Sequence, residues 1–257
     1  MILCGGRGTR LQERTREIPK PLVEIGGMPI LWHVIQLYAV HGFRRFLLAT
    51  GYRGEMIERF VAEHSWPAGV SVRCADTGLE TQTGGRIKLL QPLLAGEDVL
   101  CATYADGLAD IDLAALLAFH AEHGALATMT VVRPELQFGV TELAPDGSVR
   151  GFQEKPRSEQ WINGGFFCFG AGVFDYLDVG ALEREPLERL AAAGELRAHR
   201  HEGFWECMDT YKDAVQLNDL WASRSAPWRL WDHDDAGTGA PAALGDGRPA
   251  AGSGSPH

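Results

Sequence analysis

Apolar and polar positions follow two different periods along the first half of the chain. The nearly continuous apolar run at 98–104 is typical of a strand that is covered on both faces, and 43–49 is predicted to be a second buried strand. Between and beside them, the apolar residues of 30–38 and 55–64 recur at helical spacing. Short buried strands that alternate with helices indicate a mainly parallel sheet flanked by helices. The pattern therefore predicts an α/β fold of the Rossmann-like type.

The regular alternation of predicted strands and helices ends after residue 132. The runs 139–143 and 149–154 flank Pro145-Asp-Gly147, which is a clear hairpin signal. Further strands and helices follow, up to a closing helix over about 210–223, and we interpret this half as a ligand-facing elaboration of the same sheet. Residues 1–231 are thus expected to form one domain. In 232–257 glycine, alanine, proline and aspartate dominate, which predicts a disordered tail.

Composition and charge narrow the class of protein. A chain of 257 residues with 45% hydrophobic content can bury a large core, and its net charge of −10 argues against sequence-independent nucleic-acid binding. No apolar run has membrane-spanning length, and the start does not resemble a signal peptide. The five cysteines include no C-x-x-C pair, which favours free thiols in a reducing compartment. We expect a cytoplasmic protein without nucleic-acid or membrane partners.

A glycine-rich loop follows the first apolar run, with Gly5, Gly6 and Gly8 after residues 1–3. Glycine adopts the dihedral angles that an anion-binding nest of backbone N–H groups requires. The first twenty residues carry five basic side chains against two acidic ones, which favours a phosphate site over a simple strand-to-helix turn. The strand that feeds the loop is short, so additional residues upstream of Met1 are expected.

Two aspartates are candidates for a metal site. Asp106 follows the strand at 98–104, and the carboxyl ends of parallel strands face the ligand crevice of α/β folds. Asp209 lies just before the closing helix. Two carboxylates suffice to hold one Mg²⁺ against a nucleotide phosphate. The alternatives are a turn residue at Asp106 and a helix cap at Asp209.

Two weaker motifs also suggest metal ligands. Asp110-Ile-Asp112 is similar to the D-x-D motif of glycosyltransferases, although Asp112 is well placed to cap a helix. His120 and His123 lie three residues apart on a predicted helix and could share a metal. Because no third ligand is evident nearby, we interpret both histidines as surface residues.

Eight short motifs occur in order along residues 1–231. They are Gly5-Gly-Arg-Gly-Thr-Arg-Leu11, Pro19-Lys-Pro21, Gly26-Gly-Met-Pro-Ile-Leu-Trp-His33, Thr83-Gly-Gly-Arg86, Asp106-Gly107, Phe152-Gln-Glu-Lys-Pro156, Asn163-Gly-Gly165 and Met208-Asp-Thr210. Together they resemble the sugar-1-phosphate nucleotidylyltransferases, and within that family most closely the glucose-1-phosphate cytidylyltransferase branch.

The resemblance implies a nucleotide-diphospho-sugar transferase fold, with a nucleotide-binding part at about 1–132 and a sugar-phosphate-binding part at about 133–231. It implies transfer of a nucleotidyl group from an NTP to a sugar 1-phosphate, with Mg²⁺ as cofactor and a possible homo-oligomer. For the nucleotide, it implies that Gly5, Gly6, Gly8 and Thr9 bind the triphosphate and that Gly84 and Gly85 line the base and ribose. For catalysis it implies Arg10, Lys20 and Asp106, and for Mg²⁺ it implies Asp106 and Asp209. The residues implied to bind the sugar phosphate are Gly139, Glu154, Lys155 and Asn163.

Two departures from the family pattern leave the substrates open. Ala105 stands where a glycine usually precedes the metal-site aspartate, and the stretch 63–83 is shorter than expected. CTP and α-D-glucose 1-phosphate are the favoured pair, and another NTP with a modified sugar or cyclitol phosphate is the alternative. A second alternative is a catalytically silent regulatory protein that binds NDP-sugars. Such a protein would be expected to lack one of four charged site residues, yet the sequence contains all of them: Arg10, Lys20, Asp106 and Asp209.

Overall fold

The computed structural model describes residues 1–8 and 17–232. The predicted roles of Thr9 and Arg10 lie outside the described residues, as does the predicted disorder of 233–257.

Thirteen strands and six α-helices are found within these ranges. The strands are β1 (Ile2–Leu3), β2 (Glu24–Ile25), β3 (Met28–Pro29), β4 (Arg45–Thr50), β5 (Ser71–Asp76), β6 (Val99–Tyr104), β7 (Gly107–Ala109), β8 (Ala127–Val132), β9 (Val140–Leu143), β10 (Val149–Gln153), β11 (Ile162–Gly170), β12 (Leu196–Arg200) and β13 (Trp205–Cys207). The helices are α1 (Ile30–Val40), α2 (Gly54–Glu63), α3 (Thr83–Leu89), α4 (Leu113–His123), α5 (Glu185–Ala192) and α6 (Tyr211–Ala222).

Seven strands form the central sheet in the order β12-β8-β11-β6-β1-β4-β5. Every neighbouring pair is parallel except those of β11, which runs antiparallel to β6 and β8. The prediction of a mainly parallel, mixed α/β sheet is confirmed. The boundary near residue 132 stays a prediction, although β11 from the second part lies between β6 and β8 of the first.

Alternating side chains of the sheet feed two separate core clusters. In β11, Phe166 and Cys168 join the cluster that also receives residues from α1, α2, α4 and α6. Phe167 and Phe169 point to the opposite face and join the cluster built with α3 and α5. This two-faced burial explains why the central strands read as continuous apolar runs.

Two short antiparallel ladders are absent from the sequence prediction. The pair β2–β3 turns at Gly26 and Gly27, whose φ angles of 61° and 80° suit glycine. The pair β7–β13 aligns Gly107 with Cys207 and Leu108 with Glu206. The second ladder is important for function because it joins the segment after β6 to the segment before α6.

The structure shows how Asp112 and the two histidines of the weaker motifs are used. Asp112 caps α4 by accepting hydrogen bonds from the backbone N–H groups of Ala114 and Ala115, as the capping interpretation required. The surface interpretation is wrong for His120, which is 6% exposed. Its Nδ1 and the Nε2 of His123 lie 2.8 and 2.7 Å from the Thr128 hydroxyl of β8, so the histidines tie α4 to the sheet.

Candidate active site

A cleft of about 410 Å³ opens at the carboxyl edge of the sheet, beside the ends of β1 and β6. The glycine loop forms one wall, the start of α3 another, and the segment before α5 a third. The lining residues are Leu3, Cys4, Gly5, Gly6, Gly8, Lys20, Pro21, Thr81, Gln82, Thr83, Arg86, Tyr104, Ala105, Asp106, Ala181 and Glu183. Ala105 is 4% exposed and packs in the larger core cluster, so the fold accommodates its methyl group in place of the usual glycine.

Lys20 lies between the two predicted metal-site aspartates. Its Nζ is 2.6 Å from Asp106 Oδ2 and 2.7 Å from Asp209 Oδ1. Three separate segments supply the group: Lys20 begins a 3₁₀ turn after Pro19, Asp106 follows β6, and Asp209 follows β13. The structure thus brings the three predicted site residues together at this edge, and their roles stay predictions.

The ion pairs keep Lys20 charged. Burial alone would lower the pKa of Lys20, but the charge and hydrogen bond of Asp106, with the hydrogen bond of Asp209, raise it above the ordinary value of 10.5. A raised folded-state pKa means that the stabilisation from this ammonium beside ionised carboxylates is fully present below the unfolded-state pKa of lysine. It is lost only as the pH rises through the folded-state pKa.

The same aspartates define a cradle for a cation. One oxygen from each of Asp106 and Asp209 and the Sγ of Cys207 lie within 4.8 Å of one another. The Lys20 ammonium already occupies the space between the carboxylates, which shows that this donor set accepts positive charge. Cys207 was not predicted. Burial, followed by the negative charge of Asp106, raises the pKa of its thiol.

Asp209 is not the cap of α6. Thr210 holds that position, with its hydroxyl accepting from the N–H of Asp213 while the Asp213 carboxylate accepts from the Thr210 N–H. Asp213 also accepts from the N–H of Asp209. This capping box fixes the backbone of Asp209 and leaves its carboxylate for Lys20.

Arg86 anchors the glycine loop from below. It is 4% exposed, and its guanidinium donates to the carbonyl oxygens of Gly5, Thr50 and Gly78 and to the Thr77 hydroxyl. A Cβ atom added to Gly5 would lie 2.0 Å from Arg86 Nη1, whereas a Cβ atom on Gly6 would meet nothing within 4 Å. Gly5 is therefore required for packing, while Gly6 leaves open space toward the cleft.

Alanine substitutions should separate these two roles. We expect Gly5→Ala to lower the free energy of unfolding by about 1–3 kcal/mol, because the methyl group overpacks against Arg86. Gly6→Ala should unfold like the wild type, yet raise the KM for the nucleotide about tenfold, since its methyl group enters the cleft. Urea unfolding and steady-state kinetics of both variants provide the measurement. A wild-type KM in a folded Gly6→Ala protein would contradict contact between this loop and the nucleotide.

Gly84 and Gly85 do not line the cleft. A Cβ atom on Gly84 would lie 2.8 Å from the Gly180 carbonyl oxygen, and one on Gly85 would lie 2.9 Å from that of Val179. The backbone of α3 thus packs tightly on the segment before α5, and the preceding residues Thr81–Thr83 face the cleft instead. The assignment of both glycines to the base and ribose stays a prediction.

Glu183 is a cleft residue that the sequence did not reveal. Its carboxylate accepts hydrogen bonds from the Tyr104 hydroxyl and, at 2.6 Å, from the Thr83 hydroxyl. Burial, then the adjacent Glu183, raises the pKa of Tyr104. Glu183 thereby joins the ends of β6, α3 and the segment before α5. A lone glutamate outside any recognised motif carries no sequence signal for this position.

The predicted sugar-phosphate residues lie on β11 and on the β9–β10 hairpin. Asn163 Nδ2 donates to the Tyr104 hydroxyl at 3.3 Å, which places Asn163 beside the cleft. On the hairpin, a Cβ atom on Gly139 would lie 3.1 Å from a Glu154 carboxylate oxygen, so these two positions are neighbours. Lys155 is exposed and has a φ of 46°. The sugar-phosphate roles of the four stay predictions.

A glycine-rich loop and a lysine–diaspartate group at the carboxyl edge of a mixed α/β sheet define a nucleotidyl-transfer class of protein. The family model described as nucleotidyl transferase matches residues 1–224. The chain belongs to this family, whose members transfer nucleotidyl groups to sugar 1-phosphates, and it is therefore an enzyme of that class.

Individual proteins that resemble this chain include two curated relatives and one solved structure. The chain is 41% identical over 255 residues to the glucose-1-phosphate cytidylyltransferase of Salmonella typhimurium, covering 90% of this chain and 99% of that protein. It is 31% identical to a mannose-1-phosphate guanyltransferase of Gibberella zeae, over 87% of this chain and 64% of the relative. The crystal structure of HddC from Yersinia pseudotuberculosis complexed with GMP-PN shares the fold, with a TM-score of 0.67 at 20% identity, over 86% of this chain and 97% of that one. The predicted family is thus confirmed. Within the described residues, no helix is long and apolar enough to cross a membrane.

Proposed function

We propose that the protein transfers a cytidylyl group from CTP to α-D-glucose 1-phosphate, giving CDP-glucose and pyrophosphate. The observation that carries the proposal is the Lys20 ammonium held between Asp106 and Asp209 on the wall of a cleft that the glycine loop also lines. The choice of CTP and glucose is supported by the name of the Salmonella relative, which is 41% identical.

The reaction is an in-line displacement at the α-phosphorus. An oxygen of the sugar phosphate forms the new P–O bond while the bond to pyrophosphate breaks, so no protein nucleophile is required. Lys20 donates to the phosphate oxygens on which negative charge accumulates. Backbone N–H groups of the glycine loop hold the triphosphate, and Arg10 in its predicted role neutralises the departing pyrophosphate. Positioning and neutralisation of charge provide the catalysis.

Asp106 and Asp209 are the residues that would hold Mg²⁺ in this reaction. Oxygen donors suit this ion, and the cradle already surrounds a positive charge. A bound Mg²⁺ supplies positive charge against the triphosphate. With such an ion between Asp106 and Asp209, the Lys20 ammonium would be available to donate to a phosphate oxygen.

The acceptor is proposed to bind between the cleft and the hairpin. Asn163, Glu154 and Lys155 provide an amide, a carboxylate and an ammonium, which suit hydroxyl groups and a phosphate. Glu183, fixed by Thr83, offers a further acceptor for a sugar hydroxyl. All five cysteines are free, which supports a reducing, cytoplasmic setting. Assembly into a homo-oligomer stays a prediction.

A substrate panel tests the proposal. CTP, UTP, dTTP, ATP and GTP are each combined with glucose 1-phosphate and other sugar 1-phosphates, and pyrophosphate release is measured with and without Mg²⁺. Among acceptors whose only anionic group is the 1-phosphate, we expect glucose 1-phosphate with CTP and Mg²⁺ to give the highest kcat/KM. A different best pair would correct the substrates and retain the chemistry. Absence of turnover with every pair, in a folded protein that binds nucleotide, would favour the silent regulatory alternative.

A further inference from the structure

Arg133, Trp161 and Arg200 form a compact cluster, here called the arginine–tryptophan cluster. The guanidinium carbons of Arg133 and Arg200 lie 4.8 and 5.4 Å from the centre of the Trp161 ring. Both distances are within the range of cation–π attraction. One aromatic ring therefore holds two like charges side by side.

Strand register places the cluster next to the acceptor side of the cleft. Val131 of β8 is paired with Asn163 of β11 on one side and with Arg200 of β12 on the other. Paired residues project from the same face of a sheet, as do residues two positions apart on one strand. Trp161 lies directly before β11 and two residues from Asn163, so the Cα atoms of these two residues are at most about 7 Å apart. Asn163 itself contacts Tyr104 in the cleft wall.

The guanidinium groups of Arg133 and Arg200 have few hydrogen-bond acceptors among the described residues. The Nε–H of Arg133 is buried without a hydrogen-bond partner in the described part of the chain. Its Nη2 is 3.8 Å from the Glu202 carboxylate, too long for a hydrogen bond, and that side chain is 63% exposed. Among the described residues, the Arg200 side chain contacts the Trp161 ring and makes no hydrogen bond or ion pair.

Arg157 stiffens the base of the cluster. It donates to the carbonyl oxygens of Arg133, Glu202 and Gly203. This third cation fixes the backbone that presents Arg133, and it adds to the positive potential. Arg133, Arg157 and Arg200 outnumber the neighbouring exposed carboxylates of Glu135 and Glu202, which favours a local cationic field on a chain whose net charge is −10.

We propose that the arginine–tryptophan cluster binds a second anionic group on the acceptor, a phosphate or carboxylate in addition to the 1-phosphate. Guanidinium groups bind both kinds of anion through paired N–H donors. The inference rests on the proposed function, since it assumes a sugar 1-phosphate in the cleft, and it narrows the modified-sugar alternative to anionic sugars.

The test compares three acceptors in three proteins. Glucose 1-phosphate, glucose 1,6-bisphosphate and glucuronic acid 1-phosphate are used with CTP, the wild type, Arg133→Gln/Arg200→Gln and a control, Arg59→Gln/Arg73→Gln. The control removes the same charge from exposed positions on α2 and β5. In the wild type we expect the KM of an acceptor with a second anion to be at least about tenfold below that of glucose 1-phosphate, which is the effect of one charge-assisted hydrogen bond. This ratio should approach one in Arg133→Gln/Arg200→Gln, persist in the control, and arise from KM with little change in kcat.

Each outcome separates this inference from the proposed function. If glucose 1-phosphate turns over but the KM ratio is near one in all three proteins, the anion subsite is wrong and the proposed function stands. If no acceptor turns over, the proposed function fails, and calorimetry with glucose 1,6-bisphosphate decides the subsite. Weaker binding of glucose 1,6-bisphosphate to Arg133→Gln/Arg200→Gln than to the control would support the anion subsite, and equal binding would overturn the anion subsite.

Discussion

Lys20→Ala is expected to lower kcat for nucleotidyl transfer about 100- to 1000-fold, the usual cost of removing one group that stabilises transition-state charge. The reason is positional. The ammonium lies 2.6 and 2.7 Å from two aspartates on the cleft wall, and its side chain is 12% exposed. A water molecule that fills the space left by alanine carries no positive charge. Lys20→Arg should not restore activity, because a planar guanidinium cannot occupy the space of a compact ammonium between two carboxylates.

Pyrophosphate release under single-turnover conditions measures this loss directly. Lys212→Ala is the matched control, since Lys212 is an exposed lysine on α6. Thermal unfolding of all variants shows whether the loss follows from misfolding. A folded Lys20→Ala protein that retains kcat within threefold of the wild type would exclude Lys20 from the chemistry.

Arg86→Lys is expected to lower the free energy of unfolding by about 3–5 kcal/mol, as for other changes that break a buried charged network. The guanidinium satisfies three carbonyl oxygens and one hydroxyl at once. A lysine ammonium has three N–H donors on a single atom and cannot reach acceptors spread over Gly5, Thr50 and Gly78. Buried acceptors would then remain without partners.

Urea unfolding of Arg86→Lys alongside Arg59→Lys, an exposed arginine on α2, isolates the effect of burial. Because Arg86 holds the Gly5 carbonyl, the folded fraction of Arg86→Lys should also show a raised KM for the nucleotide. Equal unfolding free energies for Arg86→Lys and wild type would contradict the anchoring role.

The sequence predicts the main sheet well, because its strands are buried on both faces and its helices carry an apolar stripe. Asp106 and Asp209 are also predicted, from their positions after a strand and before a helix, whereas the role of Lys20 is implied by the family resemblance. Their meeting point is harder to predict. It depends on the β7–β13 ladder, whose strands are three residues each and carry no periodic pattern of their own.

Contacts without a motif account for most of what sequence reasoning missed. Glu183 and Cys207 reach the site only through tertiary packing, so composition and spacing do not distinguish them from ordinary residues. The burial of His120 was missed for a related reason: its partner, Thr128, belongs to a different element. Gly84 and Gly85 are the opposite case, because they belong to a recognisable motif. In the structure, glycine is needed at both positions because a side chain would collide with the segment before α5.

The β7–β13 ladder also sets when the site can exist during synthesis. Residues 107–109 leave the ribosome long before residues 205–207, and chain closure over about a hundred residues must precede their pairing. A nascent chain that already contains the glycine loop, Lys20 and Asp106 therefore still lacks the second carboxylate. In the proposed mechanism, nucleotidyl transfer becomes possible only after nearly the whole domain has been made. A product terminated before residue 205 would contain Lys20 and Asp106 without Asp209.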